Sequence, residues 1–253
     1  MPWNPELYHQ FQSERSAPFD DLFKLVNIKP NLRVVDLGCG IGELTHRLAA
    51  ELPNSDVLGL DLSLEMLEKS KPYSHAGLRF EKGDQAALTA EWDLIFSNAA
   101  LQWSDNHEEL VPSLFRHLMG GGQLAIQVPS NHNHISHQVY REVAAQEPFV
   151  HALNGFNRRS PVLPIEEYAA ILFRIGAQEI VVFEKVYPHV LENSDAVVDW
   201  ISGTALVPYF ERLKDRMRLE FVEAIRKRMK EELPSTPVFY PFKRILFSAI
   251  KPG

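Results

Sequence analysis

One thiol, that of Cys39, is all the cysteine chemistry in this chain of 253 residues. A single cysteine excludes an intrachain disulfide and any zinc site built from cysteine pairs. No run of 18 apolar residues occurs, so no segment reads as a membrane span. The first residues lack the apolar stretch of a secretory signal. These absences set the expectation of a soluble cytoplasmic protein with no membrane partner. Positive charge is also scarce. There are 26 Lys and Arg against 33 Asp and Glu, a net charge of −7 and a pI near 5.8. That balance argues against a nucleic-acid partner. It does not forbid a small anion, because local basic residues decide that. Internal repeats and low-complexity segments are missing too.

What the chain does have is a glycine corner. Val34 and Val35 form a short apolar run that ends in Asp36, and Gly38, Gly40 and Gly42 follow at alternate positions before a helical pattern from Glu43. This reads as a buried strand turning tightly into a helix. Glycine accepts positive φ and lets a ligand approach the backbone without meeting a Cβ. Asp36 sits at the strand's carboxyl end, where open α/β sheets bind their ligands. The dinucleotide fingerprint Gly-x-Gly-x-x-Gly would place its third glycine at position 43, which holds Glu43. No Gly-Lys-Ser or Gly-Lys-Thr follows, so a P-loop is excluded. The spacing suits S-adenosylmethionine, which has no pyrophosphate to cradle and carries an ammonium that a carboxylate at Asp36 can meet. The competing reading is a plain strand-turn-helix corner, but three alternating glycines weaken a helix start without a compensating gain. Cys39, between two of them, reads as a small buried residue beside the cofactor, not as a nucleophile.

Two more acids fall at matching intervals. Residues 56–60 read as a second buried strand that ends in Asp61, with Leu62 after it. An acid about 20 residues beyond the glycines can accept both ribose hydroxyls. A third short strand at 78–80 leads to Gly83 and Asp84. Asp84 can accept the adenine amino group, and the Gln85 backbone can meet the ring edge. Any one of these acids alone is commonly a loop or cap residue. Three that each end a successive strand are hard to obtain by chance.

Strand and helix patterns alternate from Asn31 to Pro129, with further strands at 92–97 and 123–128 and helices at 44–52, after Ser63 and at 105–118. Such alternation implies an α/β fold with a parallel sheet and helices on both faces. A helix at 165–175, a strand at 179–186 and an alternating last strand at 244–250 return to that layout. The expected fold is a seven-stranded, mostly parallel Rossmann-like sheet with an antiparallel last strand, plus a helical lid. The expected organisation is a cofactor-binding domain of residues 1–131, 161–192 and 241–253, with residues 132–160 and 193–240 as a cap over the active site. Lids sequester a reaction from water. The stretch 193–233 reads as almost purely helical. Within it Leu213, Met217, Phe221, Ile225 and Met229 recur every four residues among mixed charges, so the stripe reads as lid core and the rest as a solvated face. His132, His134 and His137 lie close together without cysteine or a second ligand group, so no metal is expected.

Taken together, these residues resemble the class I methyltransferases that use S-adenosylmethionine. More narrowly, the chain resembles the trans-aconitate 2-methyltransferase family. The resemblance rests on Trp3-Asn4-Pro5-x-x-Tyr8-x-x-Phe11-x-x-Glu14-Arg15-Ser16-x-Pro18, on Phe96-x-Asn98-Ala99-x-Leu101-Gln102-Trp103, on Pro129-x-Asn131, on Arg141-Glu142-Val143 and on Val198-Asp199-Trp200. It runs along nearly the whole chain. The glycine loop is common to the wider superfamily, and Leu-Gln-Trp is also similar to malonyl-carrier-protein methyltransferases.

The resemblance implies an O-methyltransferase that esterifies a small carboxylic acid, with trans-aconitate first among candidates. The alternatives are another carboxylate acceptor, such as a carrier-protein malonyl group, or a cofactor-binding regulatory protein without turnover. It also implies Asn98 and Gln102 near the cofactor's methionine part. Tyr8, Phe11 and Arg15 would fold over the donor, Arg15 meeting the methionine carboxylate or an acid substrate. Trp103, His137, Tyr209, Tyr240 and Arg244 are candidates for positioning the acceptor, since tyrosine hydroxyls and arginine forks suit several carboxylates at once. A carboxylate is already ionised at neutral pH, so neither a triad nor a metal is expected. The expected state is a monomer or weak dimer. The chain departs from the family in two places. Gly-Leu-Arg-Pro is replaced by Ala205-Leu206-Val207-Pro208, and the tryptophan often found after Pro-x-Asn is His132. Both changes bear on the acceptor and leave the donor residues untouched.

Overall fold

The computed structural model describes residues 12–253, with side chains from Ser16 onward. Tyr8, Phe11 and the Arg15 side chain lie outside the described residues. Two compact units divide the chain: a sheet unit of Arg15–Pro129, Pro161–Lys185 and Arg244–Gly253, and a helical unit that includes Ser130–Ser160 and Val186–Lys243.

The strands are β1 (Arg33–Leu37), β2 (Asp56–Asp61), β3 (Leu78–Lys82), β4 (Trp92–Asn98), β5 (Leu118–Pro129), β6 (Gln178–Leu191) and β7 (Val238–Ile250). They form one seven-stranded sheet in the order β3-β2-β1-β4-β5-β7-β6. Neighbours from β3 to β5 are parallel. β7 runs antiparallel to β5, from Gln123 opposite Ile250 to Pro129 opposite Arg244. The chain starts in the middle at β1, builds outward to β3, then returns past β1 to lay down β4. The strand order therefore reverses between β1 and β4, the switch point at which such sheets open a crevice beyond their carboxyl ends.

Consecutive side chains of each strand serve opposite faces. Val34, Leu94, Phe96 and Leu246 enter one core with Phe19, Leu22, Leu48 and Val57. Val35, Leu37, Ile95, Ile245 and Phe247 enter the other with Val111, Phe115, Tyr168 and Leu172. Burial on both faces explains why β1 and β2 read as continuous apolar runs without alternation. Each fully buried Val or Leu contributes roughly 1.5–3 kcal/mol. Ser63 caps the helix Leu64–Ser70, its hydroxyl accepting from the Met66 N–H at 3.3 Å.

The helical unit has its own core, in which Phe221, Ile225 and Met229 of the helix Asp215–Glu232 join Val139, Tyr140, Trp200, Tyr209 and Tyr240. Leu213 lies in the same core and Met217 packs against it. The helix's charged face is covered with ion pairs, Arg216 with Glu220 and Arg228 with Glu231 and Glu232 among them. Exposed pairs of this kind add little stability.

The structure departs from the sequence-based expectation in several elements; β7, for one, begins at Val238, six residues before the expected start. β5 begins at Leu118, five residues before the expected start, and contains the Gly120–Gly122 run. A Cβ on Gly122 would lie 2.9 Å from both the Met119 and Trp92 carbonyl oxygens, so glycine is what lets this strand close on β4. β6 continues past Val186 to Leu191 and includes Pro188. It is the last strand in the sheet order, where proline's missing donor costs no ladder bond. The stretch 193–233, expected to be almost purely helical, is three helices, Ser194–Ser202, Val207–Phe210 and Asp215–Glu232, separated at Gly203 and at Lys214, whose backbone is extended. Finally, the helix expected from Asp105 starts at His107, because Asn106 adopts a left-handed φ of 56°.

Candidate functional site

The glycine corner follows β1 and is tied to β2. The Gly38 and Cys39 N–H groups both donate to the Leu60 carbonyl, at 2.8 and 2.9 Å. The three glycines answer different demands. Gly38 has φ +72°, and a Cβ there would lie 2.1 Å from the Cβ of Ala100. Gly42, the left-handed residue that opens the helix Glu43–Glu51, is packed against Phe80 and Ser70. Gly40 is different: among the described residues, a Cβ there would meet nothing within 4 Å. Two glycines thus serve the protein's own packing, and the middle one borders open space where a ligand can approach the backbone.

Asp36 is 4% exposed, and its Oδ2 accepts a 2.6 Å hydrogen bond from the Thr45 hydroxyl. Burial raises its pKa to about 7; the Thr45 bond opposes the rise and the charge of Asp61 adds to it. Burial likewise pushes the Cys39 thiol well above its usual range, with the charges of Asp36 and Asp61 reinforcing it. Cys39 therefore stays protonated at neutral pH and is no nucleophile.

Asp61 ends β2, next to β1. Its Oδ2 accepts from the Gly40 N–H at 2.9 Å and its Oδ1 from the Ser63 N–H at 2.8 Å. A carboxylate offers about four lone-pair positions, so both oxygens retain capacity for further donors while held in place. Leu62 beside it is 59% exposed. Asp84 follows β3 and is exposed, its Oδ1 accepting from the Ala86 N–H at 2.9 Å. Asp36, Asp61 and Asp84 therefore stand at the carboxyl ends of three adjacent strands.

The sequence points to Gln85 for its backbone. In the structure its side chain is buried, with Nε2 donating to Ser104 Oγ at 2.6 Å and to the Ala100 carbonyl at 3.3 Å. Its Oε1 lies 3.8 Å from the Cβ position of Gly38. Gln85 Oε1 and Asn98 Oδ1 are buried without a hydrogen-bond partner among the described residues. Buried acceptors of this kind are costly unless a donor arrives. With the room at Gly40 and the free lone pairs of Asp61, they fit a polar nucleoside-bearing ligand.

After β4 the chain passes through Ala99, at a left-handed φ of 56°, into the turn Leu101–Trp103. Gln102 Nε2 donates to the Ala99 carbonyl at 2.6 Å, and Trp103 is 45% exposed. A buried chain holds this turn. His107 Nε2 lies 2.9 Å from the Leu101 carbonyl and its Nδ1 2.6 Å from the Tyr168 hydroxyl. A carbonyl only accepts, so Nε2 carries the proton and Nδ1 accepts from tyrosine. Burial lowers the His107 pKa and keeps the ring in this neutral form.

The remaining candidates sit differently from one another. Tyr209 and Tyr240 are fully buried in the helical unit. The Tyr209 hydroxyl donates to Asn157 Oδ1 at 2.9 Å and accepts from the Arg158 N–H at 3.0 Å. The Tyr240 hydroxyl lies 3.2 Å from Ser136 Oγ. Both are core residues with engaged hydroxyls. Arg244, in the sheet unit, is 5% exposed, with Nη1 donating to Gln127 Oε1 at 3.1 Å. His137 is part-buried, its Nδ1 3.2 Å from the Tyr140 hydroxyl. Among the described residues no group of three or more His, Cys, Asp or Glu is placed to hold a metal ion, and no helix is long and apolar enough to cross a membrane.

Thr45, Ala100, His107 and Tyr168 escaped the sequence reading. Thr45 lies nine residues beyond Asp36 in a helix whose apolar spacing draws attention to its leucines, and the others meet their partners only through the fold.

A family model for a methyltransferase domain matches residues 28–169. A trans-aconitate 2-methyltransferase of Deinococcus radiodurans is 45% identical over 258 residues, covering 100% of this chain and 99% of its own length. Another, of Paracidovorax citrulli, is 38% identical over 237 residues, covering 92% and 90%. Among solved structures, the YcgJ protein of Bacillus subtilis matches with a TM-score of 0.60 at 14% identity, over 94% of this chain and 99% of that one, a likeness of fold.

Proposed function

Because this chain belongs to the trans-aconitate 2-methyltransferase family of S-adenosylmethionine-dependent methyltransferases, we propose that its acceptor is trans-aconitate and its product a methyl ester. The observation that carries the donor reading is the carboxylate of Asp61 bonded to the Gly40 N–H, which joins the end of β2 to the open glycine of the corner. Asp36 meets the ammonium, Asp61 the ribose hydroxyls and Asp84 the adenine amino group. Gln85, Asn98 and Gln102 supply the remaining polar edge.

When bound, S-adenosylmethionine supplies a methyl group already activated on a sulfonium. The protein's task is then to hold an ionised carboxylate in line and exclude water. Such orientation is worth on the order of 7–11 kcal/mol in favourable intramolecular models. No residue need take a proton. The test is radiolabelled methyl transfer from the donor to a panel of di- and tricarboxylic acids. Base-labile label in trans-aconitate is the expected result. Label in a malonyl carrier protein instead, or in nothing despite tight donor binding, would defeat it.

Asp36 makes donor binding pH-dependent. Its pKa in the fold is about 7 against an ordinary 3.8, so the folded protein holds an extra proton between about pH 4 and 7. Its contribution to stability therefore falls as pH rises through that window, by about 4 kcal/mol in all. The donor's ammonium favours the ionised form, so binding below pH 7 expels the proton. Affinity for S-adenosylmethionine should rise about tenfold from pH 6 to pH 8, with heats at pH 6.5 that vary with the buffer's ionisation enthalpy. Asp36→Asn should remove the part of the pH dependence that Asp36 supplies. Parallel pH profiles for parent and variant would contradict the assignment.

A further inference from the structure

A serine or threonine on a helix commonly places its hydroxyl close to home, on a carbonyl three or four residues back. Ser70, Ser202 and Thr204 follow that habit, donating to the Leu67, Val198 and Trp200 carbonyls. Thr45, in the first turn of the helix Glu43–Glu51, does not. It is 0% exposed, and its hydroxyl donates at 2.6 Å to Asp36 Oδ2 near the end of β1. Among the described residues this is the one hydrogen bond of the Asp36 side chain.

The elements packed around Asp36 do not neutralise it. Asp61, from β2, acts on it as a like charge. The Cys39 thiol of the glycine corner stays protonated. β4, the other neighbour of β1, brings the neutral Ser97, whose hydroxyl donates to the Leu37 carbonyl, and Asn98. On the helix itself Glu43 is an acid, the His46 ring lies against Tyr73 and His75, and Arg47 is exposed with its Nη2 donating to Asp20 Oδ1 at 2.7 Å. Among the described residues no lysine or arginine is among the groups that act on Asp36. A buried carboxyl without a cation beside it favours its protonated form, and the Thr45 hydroxyl is the group that opposes this.

The bond also fixes geometry. The aspartate χ2 torsion is broad, so a carboxylate without an anchor can turn either oxygen outward. Anchored through Oδ2, Asp36 has Oδ1 as its remaining acceptor. We propose that Thr45 is a positioning residue for the donor, holding the Asp36 carboxylate by Oδ2 so that Oδ1 meets the ammonium of S-adenosylmethionine. This rests on the reading of Asp36 as the ammonium's partner. A threonine that merely filled space would need its shape and not its hydroxyl, and the measurements separate the two roles. A hydroxyl bonded to the ionised carboxylate favours that form, so removing the hydroxyl moves the ionisation of Asp36 to higher pH.

The test is calorimetric titration across pH with S-adenosylhomocysteine, which carries the ammonium, and with adenosine, which does not. In Thr45→Val the midpoint of the pH dependence of S-adenosylhomocysteine affinity should move up by about one unit, the effect of one charge-assisted hydrogen bond. Affinity should then lie about fivefold below the parent at pH 7 and approach it by pH 8.5, while adenosine affinity stays within about twofold. Retained adenosine binding also reports that the variant folds. Thr45→Ala, which cannot clash, should reproduce the shift, and Thr45→Ser should keep the parent midpoint. The double variant Asp36→Asn, Thr45→Val should bind as Asp36→Asn alone does, since the hydroxyl acts through the carboxylate. An unmoved midpoint in either Thr45→Val or Thr45→Ala overturns the proposal, and so does a loss that adenosine shares equally. Parent-like behaviour of Thr45→Val beside a flattened pH profile in Asp36→Asn strikes the role of Thr45 alone. A profile in Asp36→Asn parallel to the parent's removes the ammonium from Asp36, and the proposal falls with that reading.

Discussion

A Gly38→Ala protein is expected to lose measurable donor binding and to unfold on the order of 10 °C below the parent. Two costs combine. An alanine held at φ +72° pays the left-handed penalty of roughly 1–2 kcal/mol. Its Cβ would also come within 2.1 Å of Ala100 Cβ, an overlap that forces backbone movement costing about 1–3 kcal/mol. At this chain length each kcal/mol moves the midpoint by roughly 2–4 °C. The movement falls where Gly38 and Cys39 hang from the Leu60 carbonyl, so the corner and the end of β2 separate together. Thermal unfolding and calorimetric titration with S-adenosylhomocysteine read both effects. The double variant Gly38→Ala, Ala100→Gly should recover the steric share and leave the backbone share. Parent-like affinity in Gly38→Ala would show that the corner does not frame the donor.

Asp61→Ala should weaken S-adenosylmethionine binding by about 2–4 kcal/mol, roughly thirtyfold to a thousandfold. Hydrogen bonds to a charged group are worth about 1.5–3 kcal/mol each. The lost carboxylate serves the ribose and also anchors the Gly40 and Ser63 N–H groups. Asp61→Asn keeps one acceptor oxygen but turns its amide toward the other backbone donor, so it should fall between parent and alanine. Adenosine alone should suffer as much from Asp61→Ala as the full donor does. Asp36→Asn, by contrast, should spare adenosine. Titration with the two ligands separates these cases, and an unaltered dissociation constant in Asp61→Ala would place the ribose elsewhere.

Why some of this was legible in advance follows from distance along the chain. The glycine corner and the three acids are local signals: a strand, its terminal carboxylate and the turn behind it occupy ten consecutive residues or fewer, so the pattern is visible without knowing what packs beside it. The continuous apolar runs of β1 and β2 likewise announce a sheet covered on both sides. What escaped depends on encounters across the fold. The carbonyls that require glycine at Gly122 include one from Trp92 in the neighbouring strand, so the glycines that follow the helix expected over 105–118 belong to β5. Tyr209 and Tyr240 offer hydroxyls suited to an acid, but the interior of the helical unit takes them up with Asn157 and Ser136.

The solitary thiol has a practical consequence. Cys39 is buried between Gly38 and Gly40 and its proton is tightly held, so a maleimide can react only when that turn springs outward. With no second sulfhydryl to confuse the count, the labelling rate of the unaltered polypeptide is a clock for transient opening of its nucleoside cradle, and each mole of incorporated reagent marks one such event.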